Sequence, residues 1–395
     1  MDQGRERGGG GDEGLGDGAY EVRDGLTSGP VRGRGAGLNP GNRFETVRLH
    51  VLGEHLDAGA AAREAEAGSG GVRGPVSVPT TVLSDRSGRV INAVDSPDLP
   101  FKWTVNPYRG CEHGCVYCYA RPGHEYLGMS MGLDFETKIV AKHGAAALLR
   151  RELASASWRG EPIVMSGVTD PYQPVERELG ITRGCLEVMA SCGQPVSVVT
   201  KSRLVERDID CLSSLAGIGA ARAAVSLTTL DRGLAMAMEP RASSPKDRLR
   251  AMSSLASAGV PVVVMTAPII PGLNDHEIPA LLKAAKEAGA TRAGYILLRL
   301  PHQIKDVFLE WLTRAAPGRA AKVESLIRQA RGGDLYRSGF GERQRGTGAR
   351  ADQIKATFGV FAERLGLRGE REELSSAGFR RPTVLEEGQL GLFGG

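Results

Sequence analysis

Six short apolar runs, each closed by a loop of polar residues, recur through the middle of the chain. They are "KWTVNPY" (102–108), "PIVMSG" (162–167), "PVSVVTKS" (195–202), "RAAVSLTT" (222–229), "PVVVMTAPI" (261–269) and "AGYILLRL" (293–300). Their β-branched, near-continuous apolar character is that of strands buried on both faces. Between them the hydrophobic period lengthens to that of helices. "TKIVAKHGAAALLRRELASAS" (137–157) reads as one helix. "SPKDRLRAMSSLASAG" (244–259) reads as another, with Ser244 as N-cap, Pro245 in the first turn and Gly259 as the stop. "NDHEIPALLKAAKEAG" (274–289) sets Asn274 and Glu277 at capping-box spacing and ends at Gly289. Strands alternating with helices predict a parallel sheet covered by those helices. About six βα units, without a clear eighth, suggest an incomplete barrel, although the pattern alone equally fits a doubly wound sheet.

On either side of this core, which spans 76–300, the pattern changes. Residues 1–75 are dominated by glycine and charge, apart from a structured-looking interlude at 38–57, and are expected to be largely disordered. After the core, 301–368 reads as a helical extension. There "HQIKDVFLEWLTRAAPGRAAKVESLIRQAR" and "RADQIKATFGVFAERLGL" are amphipathic, and Pro317-Gly318 interrupts the first. Residues 369–395 read as a flexible tail that meets "GQLGLFGG" at its end. A formal net charge of +4 permits a polyanionic partner without demanding one. No apolar run follows the opening "MDQGRERGGGGDEG", and no segment is long enough to span a membrane, so the reading is a cytoplasmic protein without a signal peptide. The six cysteines, Cys111, Cys115, Cys118, Cys185, Cys192 and Cys211, cluster too unevenly for a disulfide framework.

Three of those cysteines fall within eight residues, in "NPYRGCEHGCVYCYARPGHEY" (106–126). A closed zinc site needs four ligands, commonly two Cys-x2-Cys pairs, and no second pair exists here. His113 or His124 would have to supply the fourth, with His113 awkwardly placed between two ligands. The competing reading is a [4Fe–4S] cluster held by Cys111, Cys115 and Cys118, which leaves one iron open for chemistry.

This Cys-x3-Cys-x2-Cys spacing, with Tyr117 before the last cysteine and a first strand directly upstream, resembles the signature of the radical S-adenosylmethionine superfamily. The resemblance implies a partial (β/α)6 barrel. It also implies an open iron that chelates S-adenosylmethionine, and an electron, fed by an external donor, that cleaves the cofactor to a 5′-deoxyadenosyl radical. Candidate cofactor residues sit at the ends of the predicted strands, where barrel sites form. Thr169 and Asp170 lie where family members bind the methionine amino group. Lys201 could pair the carboxylate and Ser226 the ribose, with Tyr117 packing on the adenine.

"NPYRGCEHGCVYCYAR", "GLDFETKIVAK" (132–142), "TDPYQP" and "VVTKS" more closely resemble the spore photoproduct lyase and DNA-photolyase-like branch, over 78–300 at most. That implies a lyase-like reaction on nucleic acid, DNA favoured, and a role in DNA repair. Where the lyases carry a hydrogen-returning cysteine, two residues before Thr169-Asp170, this chain has Gly167. Cys185, Cys192 and Cys211 read as buried thiols, and Tyr119 or Tyr172 are the weaker candidates for hydrogen return. The tail motif "QLGLF" (Gln389, Leu390, Gly391, Leu392, Phe393) resembles the peptide by which DNA polymerases and repair proteins dock on the sliding clamp. Arg343, Arg345 and Arg350 are candidates for phosphate contacts, although a solvated charged turn explains them as well. Modification of RNA or peptide by the same radical, and a non-catalytic zinc-stabilised nucleic-acid-binding protein, are the alternatives.

Overall fold

The computed structural model describes residues 31–44, 77–369 and 373–383. Strands β1 (Thr81–Ser84), β4 (Tyr108–Arg109) and β5 (Lys138–Ala141) make a small sheet in the order β1-β5-β4. The main sheet contains β2 (Ile91–Ala93), β3 (Trp103–Val105), β6 (Ile163–Met165), β7 (Val196–Thr200), β8 (Ala221–Ser226), β9 (Val262–Ile269) and β10 (Arg292–Leu297). Its order is β10-β9-β8-β7-β6-β3-β2. β3 and β6 to β10 run parallel in chain order, and β2 alone is antiparallel, against β3. All six apolar runs therefore form the six parallel strands of the main sheet. The sheet is open at β2 and β10, and its parallel strands follow chain order without the reversal of a doubly wound sheet, which is consistent with an incomplete barrel.

Among the described residues, nine principal helices accompany the strands. They are α1 (Ala145–Leu153), α2 (Ile181–Cys192), α3 (Ile209–Ala216), α4 (Arg232–Met238), α5 (Pro245–Ser257), α6 (Ile278–Glu287), α7 (Ile304–Ala315), α8 (Ala320–Gln329) and α9 (Ala349–Arg364). α5 has the ends the sequence predicts: Ser244 Oγ accepts from the Asp247 amide at 3.2 Å, and Gly259 leaves in a left-handed conformation (φ 77°). Two other readings need correction. The 137–157 segment divides into β5 and α1, because "KIVA" can add to β1 and β4 on a second sheet. Asn274 does not cap α6. Its side chain accepts from Ile270 N and donates to Thr228 O and Pro268 O, while Glu277 takes Thr229 Oγ1 and Leu230 N, so both residues tie together the loops after β8 and β9.

The supposedly disordered flanks also differ where they are described. Residues 31–44 dock beneath the cysteine loop, with Ala36 fully buried. Polar backbone there finds a buried carboxylate, Glu136, which repays the ordering cost. In the tail, residues 373–383 bind across the loops that precede β6, β7 and β8. Ser376 Oγ donates to Gly160 O at 2.7 Å, Arg380 N to Cys192 O at 2.8 Å and Ser375 N to Gly219 O at 2.9 Å. "QLGLF" lies outside the described residues.

Helices α1 to α3, α5, α6 and α9 pack on the sheet in one apolar core, and Ala293 N donates to Leu367 O along the β10 edge. A second core joins α7 and α8 to the cysteine loop through Val116, Tyr117, Met131, Phe308 and Trp311, and the Trp311 indole donates to Ala237 O at 2.9 Å. Among the described residues no helix is long and apolar enough to cross a membrane.

Candidate active site

The cysteine loop leaves β4 and is pinned from every side. Cys111 N donates to Phe135 O at 2.9 Å, and Val116 N to Met238 O at 3.1 Å. Thr169 Oγ1 donates to Gly110 O at 2.6 Å, and Glu112 N to Gln173 Oε1 at 2.9 Å. The Arg121 guanidinium reaches Cys115 O through Nε and Nη2, at 3.0 and 2.8 Å. Beneath it Glu136 accepts from Arg121 Nη2 at 2.5 Å and from the Gly35 and Ala36 amides at 2.8 Å each. The loop closes over this carboxylate through Gly114 (φ 66°), where a Cβ would press on Glu136 Oε2 at 2.7 Å.

Cys111, Cys115 and Cys118 are unpaired and face one cavity of about 90 Å³ at the carboxyl ends of β6, β7 and β8. His113, Thr169, Asp170, Lys201 and Ser226 line it too. Burial pushes the Cys111 and Cys115 thiols up, so an uncompensated thiolate is disfavoured there; a cationic metal core is what would draw their protons off. The donor set thus fits an iron–sulfur cluster with three protein ligands. Cys185, Cys192 and Cys211 sit in the main core instead, with Cys185 pushed up to about 12 by burial.

His113 turns its Nδ1 to Asp170 Oδ2, 3.3 Å away. His124 packs edge-on against Phe135, 5.5 Å between centroids, and lines a different cavity; burial lowers its pKa to about 4. Among the described residues, no three His, Cys, Asp or Glu side chains gather closely enough for a single ion.

Asp170 is already well occupied. Oδ1 accepts from Tyr172 N (2.9 Å) and Thr200 Oγ1 (2.7 Å), and Oδ2 from Lys201 N (2.7 Å) beside His113. Burial pushes its carboxyl up, but His113 and these donors hold it at about 2. A carboxylate has about four lone-pair sites. Asp170 therefore fastens the β6 loop to the end of β7, a positioning role the sequence did not reveal.

Lys201, Ser226 and Tyr117 meet in an adjoining cavity of about 150 Å³, with Cys115, Cys118, Tyr119 and Arg299. Lys201 Nζ lies 5.8 Å from the Tyr117 ring centroid, and among the described residues it makes no hydrogen bond or ion pair. The Tyr117 hydroxyl is hydrogen-bonded to Glu239, which pairs in turn with buried Arg248; Arg248 Nη1 donates to Ser226 O at 3.1 Å. This network fixes the aromatic and the end of β8 together. Glu239 follows a short helix with no periodic signal, so nothing in the sequence marked it. Arg299, equally unmarked, lies 4.9 Å from the Tyr119 ring centroid with its Nε buried and unpartnered among the described residues. Tyr119 Oη donates to Gly167 O at 2.9 Å, so this tyrosine stands over Gly167. Tyr172 is buried under the loop and faces neither cavity.

The three arginines singled out for phosphate contacts are engaged within the fold. Arg343 pairs with Asp98, Arg350 with Asp275, and Arg345 donates to Tyr295 O at 3.0 Å while stacking on its ring. These contacts dock the 341–350 loop on the fold.

The family model for the radical SAM superfamily matches residues 105–285. An uncharacterized protein of Mycobacterium tuberculosis is 38% identical over 233 residues, covering 58% of this chain and 68% of the relative. One from Methanocaldococcus jannaschii is 27% identical, covering 50% and 70%. Among solved structures, spore photoproduct lyase complexed with dinucleoside spore photoproduct superposes with a TM-score of 0.51 at 18% identity, covering 72% of this chain and 78% of that one. A variant of that lyase with bound AdoMet and the dinucleoside gives 0.51 at 17%, covering 76% and 85%. At these identities the likeness is one of fold. With the family match and the mycobacterial relative, it leads to one conclusion: the chain belongs to the radical SAM superfamily and is an enzyme of that class.

Proposed function

We propose that Cys111, Cys115 and Cys118 hold a [4Fe–4S] cluster with one open iron. S-adenosylmethionine binds beside it, against Tyr117, Thr169, Lys201 and Ser226, on a rim ordered by Asp170. The observation that carries this reading is the convergence of three unpaired thiols on one small cavity also lined by Asp170, Lys201 and Ser226. When bound, the cluster supplies one electron, taken from an external donor, for cleavage of the cofactor. The chain's part is positional. Lys201 takes the methionine carboxylate, Ser226 the ribose, and Tyr117, locked through Glu239, packs on the adenine.

The substrate in this reading is nucleic acid, with DNA favoured and a lyase-like repair reaction as the outcome. Support comes from a fold shared with a lyase solved on a dinucleoside lesion, the mildly basic charge and the "QLGLF" tail. Gln389, Leu390, Leu392 and Phe393 would dock on the sliding clamp, with the 76–300 core, the 301–368 extension and the tail dividing the work in a cytoplasmic enzyme. Reduced holoenzyme is to be incubated anaerobically with lesion-bearing DNA, undamaged DNA, RNA and peptide. Formation of 5′-deoxyadenosine that rises with lesion DNA, together with a change in that DNA, supports the reading. Stimulation by RNA or peptide alone would replace it with one of the alternatives.

A further inference from the structure

A second cavity, of about 500 Å³, lies behind the cysteine loop, against β2 and β3. A thin wall separates it from the cysteine cavity. Ala120 lines both, and of two consecutive residues Gly167 lines one while Val168 lines the other. At Gly167 (φ 137°) a Cβ would find nothing nearer than Asn106 Oδ1 at 3.7 Å, so the wall carries no side chain there.

Three features of this cavity point to a ligand. First, Arg109 and Lys142 share one carboxylate: Asp85 Oδ2 lies 3.4 Å from Arg109 Nε and 3.9 Å from Lys142 Nζ. Lys142 is only 5% exposed, and its other contact is Arg89 O at 3.5 Å. Both cations line the cavity, where an incoming anion would meet them. Second, His124 is 1% exposed and lines the cavity, yet its Nε2 has no hydrogen-bond partner among the described residues. A buried polar atom of this kind is costly unless something completes it. Third, Tyr126 at the lining is 74% exposed, tilted against Phe44 with 4.9 Å between ring centroids, with the Arg43 guanidinium 5.1 Å above the Phe44 ring. Exposed aromatic rings beside a guanidinium form a stacking platform for planar bases.

We propose that this cavity holds one nucleotide of the substrate strand, its phosphate taken by Arg109 and Lys142, its base stacked on Tyr126 and a ring edge hydrogen-bonded by His124. It lies next to the cofactor cavity across the Gly167 wall, as a substrate anchor beside a reacting centre should. The proposal rests on the nucleic-acid reading above and specifies where the strand lies.

The test is an anaerobic fluorescence titration of holoenzyme with labelled DNA of about 12 nucleotides, single-stranded and duplex, at several salt concentrations. Tyr126→Ala, a surface change, is expected to weaken binding by at least about fivefold, the lower range for loss of one base stack. Arg109→Gln is expected to weaken it as well and to reduce the salt slope by about 0.7–0.9, the signature of one lost phosphate contact. S-adenosylmethionine affinity, measured in parallel, stays at the parent value in both. If the parent binds DNA and both variants bind as tightly with an unchanged slope, the cavity assignment is wrong and the nucleic-acid reading stands. If the parent binds neither DNA, the nucleic-acid reading falls and takes the cavity assignment with it.

Discussion

Asp170 and Lys201 are joined through the backbone: Asp170 Oδ2 accepts from the Lys201 amide at 2.7 Å, while the Lys201 ammonium is left to the cavity beside Tyr117. If Asp170 organises the rim and Lys201 binds the cofactor, as proposed above, their variants should separate. Lys201→Met removes a charged hydrogen-bond donor and should weaken S-adenosylmethionine binding by about 2 kcal/mol, on the scale of charge-assisted bonds. Asp170→Ala unfastens the loop from β7 and should lower both cofactor affinity and thermal stability. Calorimetric titration and thermal melts check the pair. Equal, purely affinity-based losses would mean that Asp170 contacts the cofactor directly.

Arg343 should be a structural residue. Its guanidinium hydrogen-bonds to Asp98 and holds that carboxyl well below its usual range. A depressed carboxylate stabilises the fold above its unfolded pKa and loses that contribution as pH falls toward the folded value. Arg343→Gln should cost about 1–2 kcal/mol near pH 7, with the gap between parent and variant closing progressively below about pH 4. Denaturant unfolding at a series of pH values measures this. DNA affinity should be unchanged.

The 31–44 strap should secure the cysteine loop. A Cβ at Gly35 would fall inside the Gly114 carbonyl oxygen, whereas one at Gly41 would meet nothing within 4 Å. Gly35→Ala should destabilise by about 1–3 kcal/mol, as overpacking against backbone does. It should also speed loss of visible absorbance on exposure to air. Gly41→Ala should melt and bleach like the parent. Identical behaviour of the two variants would show that the strap is dispensable.

Much of the architecture was legible because buried parallel strands leave near-continuous apolar runs, and all six were found. The Cys-x3-Cys-x2-Cys spacing was equally readable, because local sequence alone sets three thiols on one loop. What escaped was long-range. Glu136 meets Gly35 and Ala36 from a hundred residues away, and nothing local announces such a pairing. Glu239 and Arg248 lock Tyr117 by the same kind of distant contact. Asp98, Tyr295 and Asp275, which engage Arg343, Arg345 and Arg350, are likewise distant in sequence and equally unannounced. "KIVA" reads as helix because its flanks are helical; only its neighbours β1 and β4 make it a strand.

Iron content per chain, measured on anaerobically purified Cys115→Ala and Cys185→Ala beside the parent, tests the cluster assignment most directly. The two cysteines are both buried, but only Cys115 faces the cavity with Cys111 and Cys118. The expected result is about four iron atoms per chain in the parent and in Cys185→Ala, and near none in Cys115→Ala. A Cys115→Ala protein that keeps the parent's iron, or a colourless parent carrying stoichiometric zinc, would contradict it.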